Sequence, residues 1–187
     1  DFSKMPKNCN SYLQYIERIE ELLLDDIKKA YPEAEINEDD AIGDILESIF
    51  VQYNGEKFIF VLDEWDFIFH RDFISESDKE KYVAFLSNLL KDRPYVVLSY
   101  MTGILPIAKY SSGSELNMFG EFTMVNSPMF GEYFGFTDDE VDDLYSRYIK
   151  ECEKQKKEKS VTRKGLRDWY NGYYTKSGER VYNPRSV

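Results

Sequence analysis

Cysteine and histidine are scarce in this sequence and basic charge is outnumbered by acidic, and each shortage removes a class of function. Its two cysteines, Cys9 and Cys152, have no paired spacing, which leaves no disulfide framework and no cysteine-based zinc site. They are expected to be free thiols in a reducing compartment, so the expected location is cytoplasmic. The single histidine, His70, excludes histidine-rich metal sites and argues against a histidine-based catalytic triad. Lys and Arg number 24 against 35 Asp and Glu, a formal net charge of −11. A general electrostatic grip on a nucleic-acid backbone needs the opposite balance, so nucleic acid is not an expected partner, one local basic patch aside. No apolar run approaches the ~20 residues of a membrane span. The opening, DFSKMPKNCN, is polar and has neither an initiator methionine nor the apolar segment of a secretion signal. These residues are therefore expected to be a piece of a longer chain.

What is present supports a real core. The 187 residues are 42% hydrophobic, with fifteen Tyr and thirteen Phe; a domain of that size buries roughly 70% of its unfolded surface. From 12 to 31, Leu13, Ile16, Ile19, Leu23 and Ile27 recur three or four apart, the period of an amphipathic helix, and Pro32 marks its end. EDDAIGDILESIFVQYNG repeats the pattern with Ile42, Ile45, Leu46, Ile49 and Phe50. Glu38, Asp39 and Asp40 stand at its positive end, and the Asn54-Gly55 turn stops it. KFIFVL then reads as a strand buried on both faces, as in a parallel sheet covered by helices.

A helix is expected over 77 to 91, a second buried strand, YVVLSYMTG, over 95 to 103, and a weaker third, EFTMVN, over 121 to 126. This order predicts an α/β domain with crossover connections and a partly parallel sheet. TDDEVDDLYSRYIKECEKQ opens on a capping box, Thr137 with Glu140, and TRKGLRDWY reads as another helix. GERVYNPRSV predicts a short strand and the first residues of a further helix.

In α/β sheets the ligand crevice lies at the carboxyl ends of the strands. Asp63 and Glu64 fall there, in KFIFVLDEWD, at the end of the most apolar strand. Two adjacent carboxylates repel, so a positive partner is expected beside them, and a hydrated magnesium ion with a nucleotide phosphate would serve. Four or five apolar residues followed by Asp-Glu is the form of the Walker B strand in P-loop ATPases. Asp63 would hold the magnesium and Glu64 would polarise the attacking water as general base. Two solvated acids at a strand end fit the same letters. Thr102 brings a hydroxyl to the carboxyl end of the second strand, either as a sensor that orients the water or as the start of a Thr-Gly turn.

FVLDEWD, YMTGILPIAKYSSGSELNMF, GFTDDEV, WYNGYY and VYNP, in that order, resemble the bacterial AAA-ATPase-like family, whose members often carry a PD-(D/E)XK nuclease-like domain at the C-terminus. The resemblance runs from DFS to NPRSV. It implies a P-loop NTPase-like fold of the ASCE/AAA type over 1–134, followed by a small helical lid over 135–187. It implies ATP and Mg2+ as cofactors, with Asp63 at the magnesium position, Glu64 at the catalytic position and Thr102 at the sensor position. Gly135, Phe136, Thr137, Asp138 and Asp139 match the start of the family's next helix, and the block from Trp169 to Tyr173 matches its W-Y-D-G-Y signature.

The sequence departs from the family in one major respect: it has no G-x-x-x-x-G-K-[ST] loop to cradle phosphates. In the family that loop stands upstream of DFS. These residues alone are therefore expected to bind ATP weakly or not at all. The competing expectation is a non-catalytic module of the same fold that acts through a protein partner or a second copy.

Remaining signals are weaker. His70-Arg71-Asp72 has the look of a kinase catalytic loop, but Ser77 stands where that loop needs Asn. Asp66 would either back up the metal or turn the chain, the second being preferred. Asp26-Ile27-Lys28 has nuclease spacing on a helical pattern. The basic run from 150 to 167 alternates with acids, as a solvated helix face does. Trp169 is expected to pack in the core or lid, and no arginine among Arg71, Arg93, Arg147, Arg163 and Arg167 stands out as a finger.

Overall fold

The computed structural model describes residues 1–107, 110, 115–123, 129–170 and 172–183. They form a mixed α/β structure with five α-helices among the described residues, dividing into two compact units, 1–120 and 121–187.

The first unit opens with α1 (Tyr12–Ala30), capped by the Ser11 hydroxyl, which accepts the Gln14 N–H, and α2 (Ile42–Gln52) follows. The expected apolar stripe is there, with Ile16 and Ile27 buried, though Tyr15 replaces Leu13, which is 63% exposed. The chain leaves α2 through left-handed Asn54 (φ 56°) and Gly55 (φ 83°), where Gly55 N–H reaches back to Phe50 O at 2.8 Å. Next come β1 (Phe58–Leu62), a 3-10 turn (Phe67–His70), α3 (Glu76–Leu90) and β2 (Val96–Met101). Helix α3 starts on a full capping box, with Ser75 and Asp78 each accepting from the other's backbone N–H.

β1 and β2 pair in parallel, joined by the crossover through α3. An extra residue, Val97, bulges between the pairs Phe58↔Val96 and Ile59↔Leu98. From there the register runs to Leu62↔Met101. Phe58, Phe60, Leu62 and Met101 face a layer in which α1, α2 and α3 contribute Ile16, Ile45, Ile49, Val83 and Leu86. Each fully buried aliphatic side chain of this kind stabilises by about 1.5–3 kcal/mol.

The expectation that these strands are buried on both faces is wrong. Ile59 (64%), Val61 (65%), Leu98 (54%) and Tyr100 (59%) are exposed on the face opposite the helices. Three helices gather on one side of the sheet, and none among the described residues of this unit covers the other. Inside, Ser99 Oγ is buried with no hydrogen-bond partner among the described residues. The bulge turned it inward opposite Phe60.

In the second unit, α4 (Asp138–Gln155) begins on the expected box of Thr137 and Glu140, and α5 (Arg163–Tyr170) follows. An antiparallel pair, β3 (Tyr173–Tyr174) and β4 (Arg180–Val181), closes the described chain. Residues 121–123 of the expected third strand form no strand; 124–126, Asn171 and the expected final helix at 184–187 lie outside the described residues. Trp169 is 84% exposed, not packed, since α5 buries none of its residues. No helix among the described residues is long and apolar enough to cross a membrane.

The unit is tied at Asp138. Its Oδ1 accepts from the Tyr182 hydroxyl (2.5 Å) and from Arg163 Nη2 (2.7 Å), while Arg163 Nε reaches Asp142 at 2.5 Å. Phe136 and buried Tyr182 exchange two backbone hydrogen bonds beside it. The Tyr182 hydroxyl, and then the Arg163 guanidinium, hold the Asp138 carboxyl below the usual carboxylate range. A depressed folded-state pKa contributes stability that is present above about pH 4 and lost as pH falls through the folded value. Asp138→Asn should therefore lower the urea midpoint of unfolding near pH 7, and its gap from wild type should close below about pH 4. A gap of the same size at about pH 3 would contradict this tie.

Candidate functional site

Parallel pairing with Leu62 opposite Met101 delivers the next residues of both strands to one rim. The ladder continues past the strand ends: Thr102 N–H donates to Leu62 O at 2.8 Å and Trp65 N–H to Thr102 O at 3.0 Å. Asp63, Glu64 and Thr102 therefore meet, as the sequence reading required of its site residues. Thr102 Oγ1 donates to Asp63 Oδ1 at 2.5 Å and accepts the Glu64 N–H at 3.3 Å. A single hydroxyl clips both acids to the neighbouring strand.

Glu64 has φ 54°, in the left-handed region, which costs a non-glycine residue about 1–3 kcal/mol and persists only where surroundings hold it. Asp63 and Glu64 are both exposed. The Glu64 carboxylate makes no hydrogen bond or ion pair among the described residues, and the Asp63 carboxylate bonds only to Thr102. No basic side chain pairs with either acid among the described residues, and their exposure lets water screen the two charges.

Behind the rim the chain is dry. Trp65 is buried (2%), and its carbonyl accepts the buried Tyr82 hydroxyl at 2.7 Å. Asp66 is equally buried, and one oxygen, Oδ2, accepts both Ile104 N–H (2.9 Å) and Leu105 N–H (2.6 Å). Asp66 thus ties down the segment after β2. The sequence reading came near this in preferring a chain-turning role, but no local signal shows a carboxylate bonding amides nearly forty residues away. Phe2 N–H donates to Asp63 O at 2.9 Å, so the start of the chain also borders the rim.

Elsewhere, Asp26 to Lys28 lie within α1 with Ile27 buried, as a helix requires. His70 Nε2 stands 3.9 Å from Asp66 Oδ2, and Arg71 lies 3.9 Å over the Phe67 ring. Arg163 and Arg167 both pair with Asp138. Among the described residues no three His, Cys, Asp or Glu side chains converge as metal ligands. The rim offers instead two exposed carboxylates and a hydroxyl, a donor set suited to a cation that keeps most of its water.

No protein-family model, curated protein or solved structure matches this chain.

Gly103 separates Thr102 from the tied amides. A Cβ there would lie 2.5 Å from Asp66 Oδ1 and 2.6 Å from the Trp65 ring. Gly103→Ala should destabilise the protein by about 1–3 kcal/mol, as overpacking of a buried contact does, read from denaturant unfolding. A change below about 0.5 kcal/mol, within the usual range of surface substitutions, would show that the rim packs more loosely than described.

Proposed function

We propose that Asp63, Glu64 and Thr102 form the hydrolytic edge of a magnesium-nucleotide site, in an ATPase of the AAA type. The observation that carries this reading is the Thr102 Oγ1 to Asp63 Oδ1 hydrogen bond of 2.5 Å, made between the carboxyl ends of adjacent parallel strands. Asp63 has the exposed carboxylate that hydrated magnesium prefers, one or two carboxylates with phosphate oxygens and water completing its shell. Bound magnesium would supply neutralisation of the charge on the transferring phosphoryl group. The Glu64 carboxylate, unencumbered and held by its left-handed backbone, is the general base that draws a proton from the attacking water. Thr102 fixes Asp63 and the Glu64 backbone relative to each other. The sequence has no G-x-x-x-x-G-K-[ST] loop, so this reading assigns the phosphate cradle to residues other than these 187.

A second reading, a non-catalytic module that binds a protein partner or another copy, draws support from the open apolar face at Ile59, Val61, Leu98 and Tyr100.

Turnover of Mg-ATP by the natural full-length protein separates the two. Under the first reading Glu64→Gln lowers kcat by about 100- to 10,000-fold, the usual contribution of a general base, with nucleotide affinity kept within a few fold. Unchanged turnover would remove Glu64 from the chemistry, and a wild type without hydrolysis would favour the module.

A further inference from the structure

We infer that Asp66 is the positioning residue of this rim, holding Thr102 against Asp63 and Glu64 through the backbone that follows β2. The inference rests on the proposed hydrolytic reading for its kinetic consequence and on hydrogen bonds alone for its geometry.

Asp66 is the only buried acidic side chain among the described residues, at 2% exposure, and a carboxylate is costly to place there unless it is bonded. Its Oδ2 accepts Ile104 N–H at 2.9 Å and Leu105 N–H at 2.6 Å. Hydrogen bonds to a charged acceptor are the strong kind, about 1.5–3 kcal/mol each against about 1 for a neutral pair. Oδ1 and the Trp65 ring lie so close to Gly103 that no Cβ fits between them. Thr102 is thus gripped on both sides: by the ladder bonds to Leu62 and Trp65 before Gly103, and by the Asp66 carboxylate after it. Among the described residues the one ion-pair partner within reach of Asp66 is His70, whose Nε2 lies 3.9 Å from Oδ2 on a side chain that is 47% exposed.

The geometry separates this role from metal binding. Asp66 has its lone pairs directed at backbone amides in a dry interior, whereas Asp63 is exposed at the rim. It also separates the role from charge pairing with His70. Asparagine keeps an acceptor oxygen of the same reach but loses the charge, so Asp66→Asn keeps the amide clamp in weakened form and loses any pull on His70.

Hydrogen exchange read by mass spectrometry over 102–105, with kcat and KM for Mg-ATP, tests the inference in the natural full-length protein. Asp66→Ala should speed exchange of the Ile104 and Leu105 amides by about tenfold or more. It should lower kcat by about ten- to a hundredfold, the range expected when a reacting group shifts by up to an ångström, and leave KM within about twofold. Asp66→Asn, with a neutral acceptor in place of the charged one, should fall between wild type and Asp66→Ala in both. If Asp66→Ala does not fold, Asp66→Ser, judged by near-UV circular dichroism, takes its place. Unchanged exchange in the alanine or serine variant would overturn the clamp. So would unchanged kcat despite faster exchange, or an asparagine variant as impaired as alanine. A wild type that hydrolyses no ATP would sink the hydrolytic reading alone, and the exchange comparison would still decide the clamp.

Discussion

The register between β1 and β2 is the constraint on which the rest depends. In a parallel pair both strands point the same way, so whatever follows each strand arrives at the same end of the sheet. The bulge at Val97 sets which residues those are. Without the extra residue, Phe58↔Val96 would run on to Leu62↔Tyr100, and Asp63 would stand opposite Met101. With it, Leu62 stands opposite Met101 and Asp63 opposite Thr102. The same residue turns Ser99 inward, where its hydroxyl finds no partner among the described residues, and turns Leu98 and Tyr100 outward. A buried, unbonded hydroxyl costs about 1–3 kcal/mol. The molecule bears that cost at Ser99 together with the register that joins Thr102 to the acid pair.

Local strain at the rim is held from behind. Glu64 sits in a conformation that costs a non-glycine residue free energy, on a turn whose next residues, Trp65 and Asp66, are both buried. The Tyr82 hydroxyl bonds the Trp65 carbonyl, Phe69 packs edge-on against Trp65 at 5.4 Å, and the Asp66 carboxylate takes two amides. The apolar strand and the acid pair are thus parts of one arrangement. Apolar residues anchor the strand and the turn after it, and the two acids stay in water where their charge costs little. Only alternate residues of the strand face the core.

Helices were the legible part of this chain, because the 3.6-residue period of Ile16, Ile27, Ile45 and Ile49 and the box at Thr137 are local signals. Both strands of the parallel pair were legible too. Their two-sided burial was not, because an unbroken apolar run reads the same whether or not a second layer covers it. The two-residue strand at Arg180 lies where GERVYNPRSV predicts a short strand, whereas its partner at Tyr173 is too short to show a period. Trp169 misled because an aromatic on a short helix carries no sign of which way it faces. At the rim, Asp63, Glu64 and Thr102 could be read from strand ends. The amide clamp of Asp66 is a long-range bond, and the Val97 bulge depends on pairing, so neither left a trace in the local pattern.

The central claim is that a divalent cation and a nucleotide meet the protein at this rim. Replacing Mg2+ by paramagnetic Mn2+ together with ATP, in the natural full-length protein, tests it through nuclear magnetic resonance line broadening. The account predicts that signals of the Thr102 methyl group and of the Asp63 and Glu64 amides broaden at low Mn2+, while the Ile27 and Ile49 methyl groups on the helical side stay sharp. Rim signals that remain sharp at saturating Mn2+ and ATP would contradict it.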